Sequence, residues 1–191
     1  MPTVLVVDDN AELVQLYTRI LAGSGHEVYS AGNSEQCFSF LETTAPDLII
    51  LDIMMEPMDG WEVLSGIRMN QKTERVPVIM VSGKKPTHEE TRQYMEWVDG
   101  YRVKPLSVKG LKAVVEDFLS FRETVDREIS EVERTGAGGQ VIEEYRTLRR
   151  SITSGTQMTG LFEMADEEIT RCIQEKRKRL TALQREYGVT V

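Results

Sequence analysis

Leu48-Ile49-Ile50-Leu51 is an unbroken apolar run that stops at a carboxylate, Asp52, and continues as Ile53-Met54-Met55-Glu56-Pro57-Met58-Asp59-Gly60. The run does not alternate polar and apolar residues, so as a strand it must be covered on both faces, as in the middle of a parallel sheet. Such sheets bind ligands beyond the carboxyl ends of their strands, where Asp52 would sit. A second run, Val4-Leu5-Val6-Val7, ends in Asp8-Asp9. Set side by side, the two strands would bring three carboxylates to one rim. Three such acids repel one another unless a cation sits among them. An all-oxygen cluster with room for water suits Mg²⁺ best. Each motif alone equally suits a simpler role. Asp8, Asp9 and Asn10 are good N-cap residues for a helix starting near Ala11, and Asp52 could polarise a turn before Pro57.

Two further positions favour the site. Val76-Pro77-Val78-Ile79-Met80-Val81 is a third apolar strand candidate and ends in Ser82-Gly83, and Tyr101-Arg102-Val103-Lys104-Pro105 closes a fourth with Lys104 at its carboxyl end. The rim would then carry acids, a hydroxyl and an ammonium, which is the inventory for moving a phosphoryl group onto a carboxylate. Mg²⁺ and Lys104 would offset charge on the phosphoryl oxygens, Ser82 would donate a hydrogen bond, and an oxygen of Asp52 would attack in line.

Asp8-Asp9, Asp52, Asp59-Gly60, Ser82, Tyr101 and Lys104-Pro105 together resemble, in order and spacing, the receiver domain of two-component response regulators, over residues 1 to 120. The resemblance implies an α/β, flavodoxin-like, doubly wound parallel sheet of order 2-1-3-4-5. It makes Asp52 the phosphoacceptor, with Asp9 and Asp52 binding Mg²⁺ directly, Asp8 through water, and the Met54 carbonyl as a further ligand. It also makes Ser82 and Tyr101 a switch pair, in which phosphorylation draws Ser82 toward the phosphoryl oxygens and lets Tyr101 rotate inward, and it places a cis peptide at Lys104-Pro105. A histidine kinase or phosphotransfer protein is the implied phosphodonor. Two departures stand out: Glu56 puts Pro57 one position late, and Trp97-Val98 replaces the glycine and alanine common at the end of the fourth helix. Trp97 is then either core or an anchor for a partner.

Along the chain, strand one covers Thr3 to Val7, and Leu13, Leu16, Tyr17, Ile20 and Leu21 follow at helical spacing until Gly23-Ser24-Gly25 stops the helix. His26 to Ser30 reads as a second strand with His26 a surface loop residue, and Asn33 or Ser34 caps a helix containing Cys37, Phe38, Phe40 and Leu41. Asp59 starts a third helix with Trp61, Val63, Leu64 and Ile67 on its apolar face. Ser107 to Arg134 predicts one helix of about 40 Å, longer than a receiver needs. Its stripe of Leu111, Val115, Phe118, Val125, Ile129 and Val132 is a short heptad pattern of coiled-coil type. After Gly136-Ala137-Gly138-Gly139, two more helices are expected at Val141–Ile152 and Phe162–Tyr187, separated by Ser154-Gly155-Thr156. The last carries the apolar stripe Ile169, Cys172, Ile173, Leu180, Leu183 and Tyr187, and a basic cluster, Lys176-Arg177-Lys178-Arg179, that reads as a solvated face. The division expected is a receiver at 1–120 and a helical extension at 121–191, whose sequence resembles no family.

A net charge of −8, most of it within residues 1–106, argues against general nucleic-acid binding, so DNA is not the expected partner. With no apolar run of membrane-spanning length, and with Cys37 and Cys172 read as reduced helix residues, the expected location is the cytoplasm. The expected function is a phosphorylation-controlled switch that catalyses only its own phosphorylation and dephosphorylation. It would control a downstream protein partner or self-association, such as a homodimer, through the C-terminal helices, with Ser107–Arg134 as the coupling element. The alternatives are a DNA-binding transcription regulator using Arg149-Arg150 and the basic cluster, and a Mg²⁺-dependent phosphatase acting on a separate substrate.

Overall fold

The computed structural model describes residues 1–189. Five parallel strands, β1 (Thr3–Val7), β2 (Glu27–Ala31), β3 (Leu48–Leu51), β4 (Val78–Ser82) and β5 (Gly100–Val103), form one sheet in the order β2-β1-β3-β4-β5. The apolar runs set the order of burial: β3 and β4 are buried throughout and β1 nearly so, whereas the edge strand β2 is mostly exposed. Val7 stands opposite Leu51, and Leu51 opposite Met80, so β1 and β3 end together and release Asp8 and Asp52 at one rim, while β4 runs two residues further and ends at Ser82.

The helices α1 (Ala11–Ala22), α2 (Ser34–Thr43), α3 (Gly60–Met69), α4 (His88–Tyr94) and α5 (Val108–Arg134) alternate with the strands as expected. Their starts are chemically marked. The Asn10 side chain accepts from the Glu12 and Leu13 N–H groups, the Asn33 side chain accepts from Gln36 N–H, and Asp59 with Glu62 and Thr87 with Glu90 form reciprocal capping boxes. Leu16 is exposed despite its place in the α1 pattern. His26 lies half-buried in the loop just before β2. Among the described residues only glycines have positive φ, so Trp97 does not take the left-handed conformation; it is half-buried, and its carbonyl accepts from Arg68 Nε. Cys37 is buried and Cys172 half-buried, and both are free thiols; burial pushes Cys37 up to about 12.

Packing divides the chain into two compact units, one of Met1–Lys85 with Trp97–Ala113, the other of Pro86–Glu96 with the chain from Val114 onward. The units are therefore interleaved in sequence, where a division into 1–120 and 121–191 is a single cut. The second unit contains α4, most of α5, α6 (Gly139–Thr159) and α7 (Glu167–Glu186). Val125, Ile129 and Val132 of α5 form a core with Tyr145 and Leu148 of α6 and Leu180 and Leu183 of α7. The apolar stripes of α5 and α7 are thus packed within the chain. Glu128, 4 % exposed, lies inside this core; it accepts from the Tyr145 hydroxyl at 3.0 Å and from Arg149 at 3.0 Å. A buried acid of this kind is tolerated because it is paired, and it fixes which faces of α5 and α6 meet.

Two boundaries differ from expectation. The helix expected to end at Ile152 continues through Ser154-Gly155-Thr156 to Thr159. Gly155 is not a breaker here: a Cβ on it would stand 3.1 Å from Ile173 Cδ1 and 3.3 Å from Met95 Sδ, so its small size permits close packing. The last helix starts at Glu167 rather than Phe162, because the Asp166 side chain accepts from Ile169 N–H and sets the cap.

Candidate functional site

The rim at the ends of β1, β3 and β5 gathers the acids and the ammonium. Asp8, Asp9 and Asp52 each present a carboxylate oxygen, all within 4.8 Å of one another. Asp8 and Asp52 are buried and Asp9 is exposed. Lys104, the first residue after β5, sets its Nζ 2.6 Å from Asp8 Oδ2 and 3.0 Å from Asp52 Oδ1. The contact to Asp52 is an ion pair without hydrogen-bond alignment, and Oδ1 is buried with no hydrogen-bond partner. Burial raises the Asp52 carboxyl above its ordinary range, with Lys104 opposing and Asp8 reinforcing the rise. Burial disfavours the charge on Lys104, but the hydrogen bond to Asp8 and the attraction of Asp8 and Asp52 outweigh it, so the ammonium is held above its usual value.

The loop after Asp52 is held tightly. Gly60 N–H donates to the Ile53 carbonyl at 2.9 Å, and a Cβ on Gly60 would stand 2.1 Å from the Asp52 carbonyl oxygen. Only glycine fits, which is the physical reason for the Asp59-Gly60 pair. The Lys104-Pro105 peptide is cis, as the receiver resemblance implies, and Glu56-Pro57 is cis as well. Met54 is 60 % exposed on this loop, and its sulfur lies 3.8 Å from where a Cβ on Gly83 would be.

Ser82 and Tyr101 converge on one residue that the sequence reading did not place in the switch, Lys84. Ser82 is buried and its Oγ accepts from Lys84 N–H at 3.4 Å; the Tyr101 hydroxyl donates to the Lys84 carbonyl at 2.8 Å. Tyr101 is itself buried, stacked 6.3 Å from Trp61. Tyr17 was also missed as a site neighbour. Its hydroxyl is buried without a partner meeting hydrogen-bond geometry. Burial raises its pKa, with Lys104 opposing and Asp8 and Asp52 reinforcing the rise. Helical periodicity counts a buried tyrosine as apolar, so only the polar tip on an otherwise apolar stripe could have signalled it.

The residues fit a hard divalent cation: the donor set is all oxygen, and the exposed Asp9 leaves the cluster open to water. The arrangement sets the Asp52 carboxylate beside the Lys104 ammonium and two further acids able to hold such an ion.

Residues 4–116 match the family described as the response regulator receiver domain. The chain is 32 % identical over 139 residues to the alkaline phosphatase synthesis transcriptional regulatory protein PhoP of Bacillus subtilis, covering 73 % of this chain and 57 % of that one. It is similar to the N-terminal domain of a response regulator receiver protein from Methanoculleus marisnigri, with a TM-score of 0.53 and 38 % identity over 61 % of this chain and 95 % of that one. It is also similar to the response regulator TrrA of Thermotoga maritima solved in complex with Mg²⁺-BeF, with a TM-score of 0.54 and 30 % identity over 62 % of this chain and 99 % of that one. The match spans little more than half of the transcriptional regulator, and the expectation against DNA draws no support from such a relative.

Proposed function

The chain belongs to the response regulator receiver family over residues 4–116, and from that premise we propose that it is a phosphorylation-controlled cytoplasmic switch whose phosphoacceptor is Asp52. The observation that carries the reading is the placement of Lys104 Nζ against both Asp8 and Asp52, with Ser82 buried at the end of the adjacent strand. A divalent cation held by Asp8, Asp9, Asp52 and the Met54 carbonyl would offset negative charge on the phosphoryl oxygens. One oxygen of Asp52 attacks phosphorus as the bond to the donor, a phosphohistidine of a kinase or phosphotransfer protein, breaks and the histidine nitrogen keeps the electron pair. Lys104 follows the charge that moves onto the phosphoryl oxygens, and Ser82 donates a hydrogen bond to one of them. The chemistry proposed is the protein's own phosphorylation and dephosphorylation.

The test is intact-mass analysis after incubation with a small phosphodonor and Mg²⁺. One added phosphoryl group, absent in Asp52→Ala and absent after chelation, is the expected result; labelling that survives either change overturns the assignment.

The output is a protein–protein interaction made by the second unit, with the continuous α5 as one coupling element. A second reading, DNA binding, has one observation in its favour: Arg177, Lys178 and Arg185 line a shared surface of α7. Duplex binding that weakens steeply with salt supports it, and its absence at low salt removes it.

A further inference from the structure

Tyr17 is a polar residue in an apolar place. α1 begins at Ala11, two residues past the rim acid Asp9, and the Asn10 cap fixes that start beside the site. Tyr17 lies six residues further, about 9 Å along the helix axis. It is 1 % exposed, on the face that also buries Leu21. A helical side chain leans toward the N-terminus of its own helix, so the phenol is carried back toward the rim rather than down the sheet. The charges that act on it are those of the rim: Lys104 most strongly, then Asp8, then Asp52. The Leu106 backbone, two residues after Lys104, also approaches the hydroxyl, although no partner meets hydrogen-bond geometry.

A hydroxyl shut away from water without a firm partner destabilises a fold, and phenylalanine would fill the same space without that penalty. Departures of this kind gather where a protein gives up stability for activity. The side chain beside Tyr17 with most need of restraint is Lys104. Its ammonium donates to Asp8 at 2.6 Å and reaches Asp52 Oδ1 at 3.0 Å without alignment, so one acid alone directs it, at the end of a flexible four-carbon stem. An uncharged hydroxyl restrains such a stem without competing with the acids for its charge, which a carboxylate in the same place would do.

We propose that Tyr17 is a positioning residue for Lys104: its hydroxyl, set against the Leu106 backbone and the Lys104–Asp8 pair, holds the ammonium within reach of a phosphoryl group arriving at Asp52. This rests on the phosphoacceptor reading above and adds a residue to that site. Tyr17 touches no reacting atom and acts through Lys104. The consequence is a dependence: whatever the hydroxyl contributes to the rate disappears once the ammonium is gone.

The experiment uses the full chain as wild type, Tyr17→Phe, Lys104→Met and the double variant, with labelling by acetyl phosphate followed by intact mass. At saturating Mg²⁺, Tyr17→Phe is expected to label about fivefold more slowly than wild type, the rate equivalent of one hydrogen bond. The Mg²⁺ concentration for half-maximal labelling should stay as in wild type, and the double variant should label no more slowly than Lys104→Met. Denaturant titration should show Tyr17→Phe no less stable than wild type, which separates lost positioning from lost folding. Equal rates in wild type and Tyr17→Phe overturn the proposal. So does a changed Mg²⁺ requirement, which would place the hydroxyl's action on the acids, and so does a further loss in the Lys104→Met background, which would mark a packing role. Each of these leaves Asp52 as the phosphoacceptor. Failure of wild-type Asp52 to label at all overturns both.

Discussion

Lys104 Nζ lies closer to Asp8, at 2.6 Å, than to the proposed nucleophile Asp52, at 3.0 Å. The ammonium is thus anchored by an acid that does not react, and it keeps its place when the charge on Asp52 is spent in bond formation. Replacing it by an uncharged chain of similar length, Lys104→Met, should slow labelling of Asp52 about tenfold or more, a loss of about 1.4 kcal/mol of transition-state stabilisation. Time courses of intact mass check this; an unchanged rate would remove Lys104 from the chemistry.

The raised pKa of Asp52 has a consequence for stability. A carboxyl whose folded pKa exceeds its unfolded value contributes stability that is present below the unfolded value, 3.8, and is lost as pH rises through the folded one. With metal chelated at neutral pH, Asp52→Asn should therefore melt higher than wild type, and the gap should narrow as pH falls toward 3.8. Mg²⁺ should raise the melting temperature of wild type more than that of the variant. Thermal melts across pH decide the sign.

Gly60 should tolerate no side chain. A methyl group there meets the Asp52 carbonyl oxygen at 2.1 Å, backbone that cannot swing away. Gly60→Ala is expected to cost about 1–3 kcal/mol and to slow Asp52 labelling, because relief of the clash moves Asp52 itself. A variant as stable and as reactive as wild type would show that the loop relaxes freely.

The Tyr17 hydroxyl is buried with no partner meeting hydrogen-bond geometry, only the Leu106 backbone approaching it, so deleting it should help the fold. Tyr17→Phe is expected to gain about 1 kcal/mol. Denaturant titration measures it, and a loss of that size would mean the hydroxyl has a partner worth keeping.

Met54 is an apolar chain on the loop after Asp52 with its sulfur beside Gly83, and it should keep water from a phosphoryl group on Asp52. Met54→Asn is expected to lose its phosphoryl group several-fold faster than wild type; slower loss would contradict the shielding role.

The sheet and its rim were legible because the runs 4–7, 48–51 and 76–81 are apolar without alternation and end in chemically distinct residues. Asp8, Asp9, Asp52, Ser82 and Lys104 stand at strand ends or in the turns that follow them, and Tyr101 lies within β5. What sequence could not give depends on partners distant in the chain. Gly155 reads as a breaker until Ile173 and Met95 are beside it. Glu128 sits beside apolar positions of α5 as an acid that would ordinarily face water, and only Tyr145 and Arg149 on another helix explain its burial. The join of Met95 to Ile169 spans too much chain for any local pattern to foretell.

Because residues 86–96 belong by packing to the C-terminal unit while lying in sequence between β4 and β5, the two parts are not separable cassettes. A chimera grafting another output onto residue 120 would carry an α4 stripped of Ile169 and Ile173, its Met95 newly wet. Shuffling of domains by simple end-to-end fusion is therefore hindered here, and substitutions in α4 and α7 are expected to covary through descent.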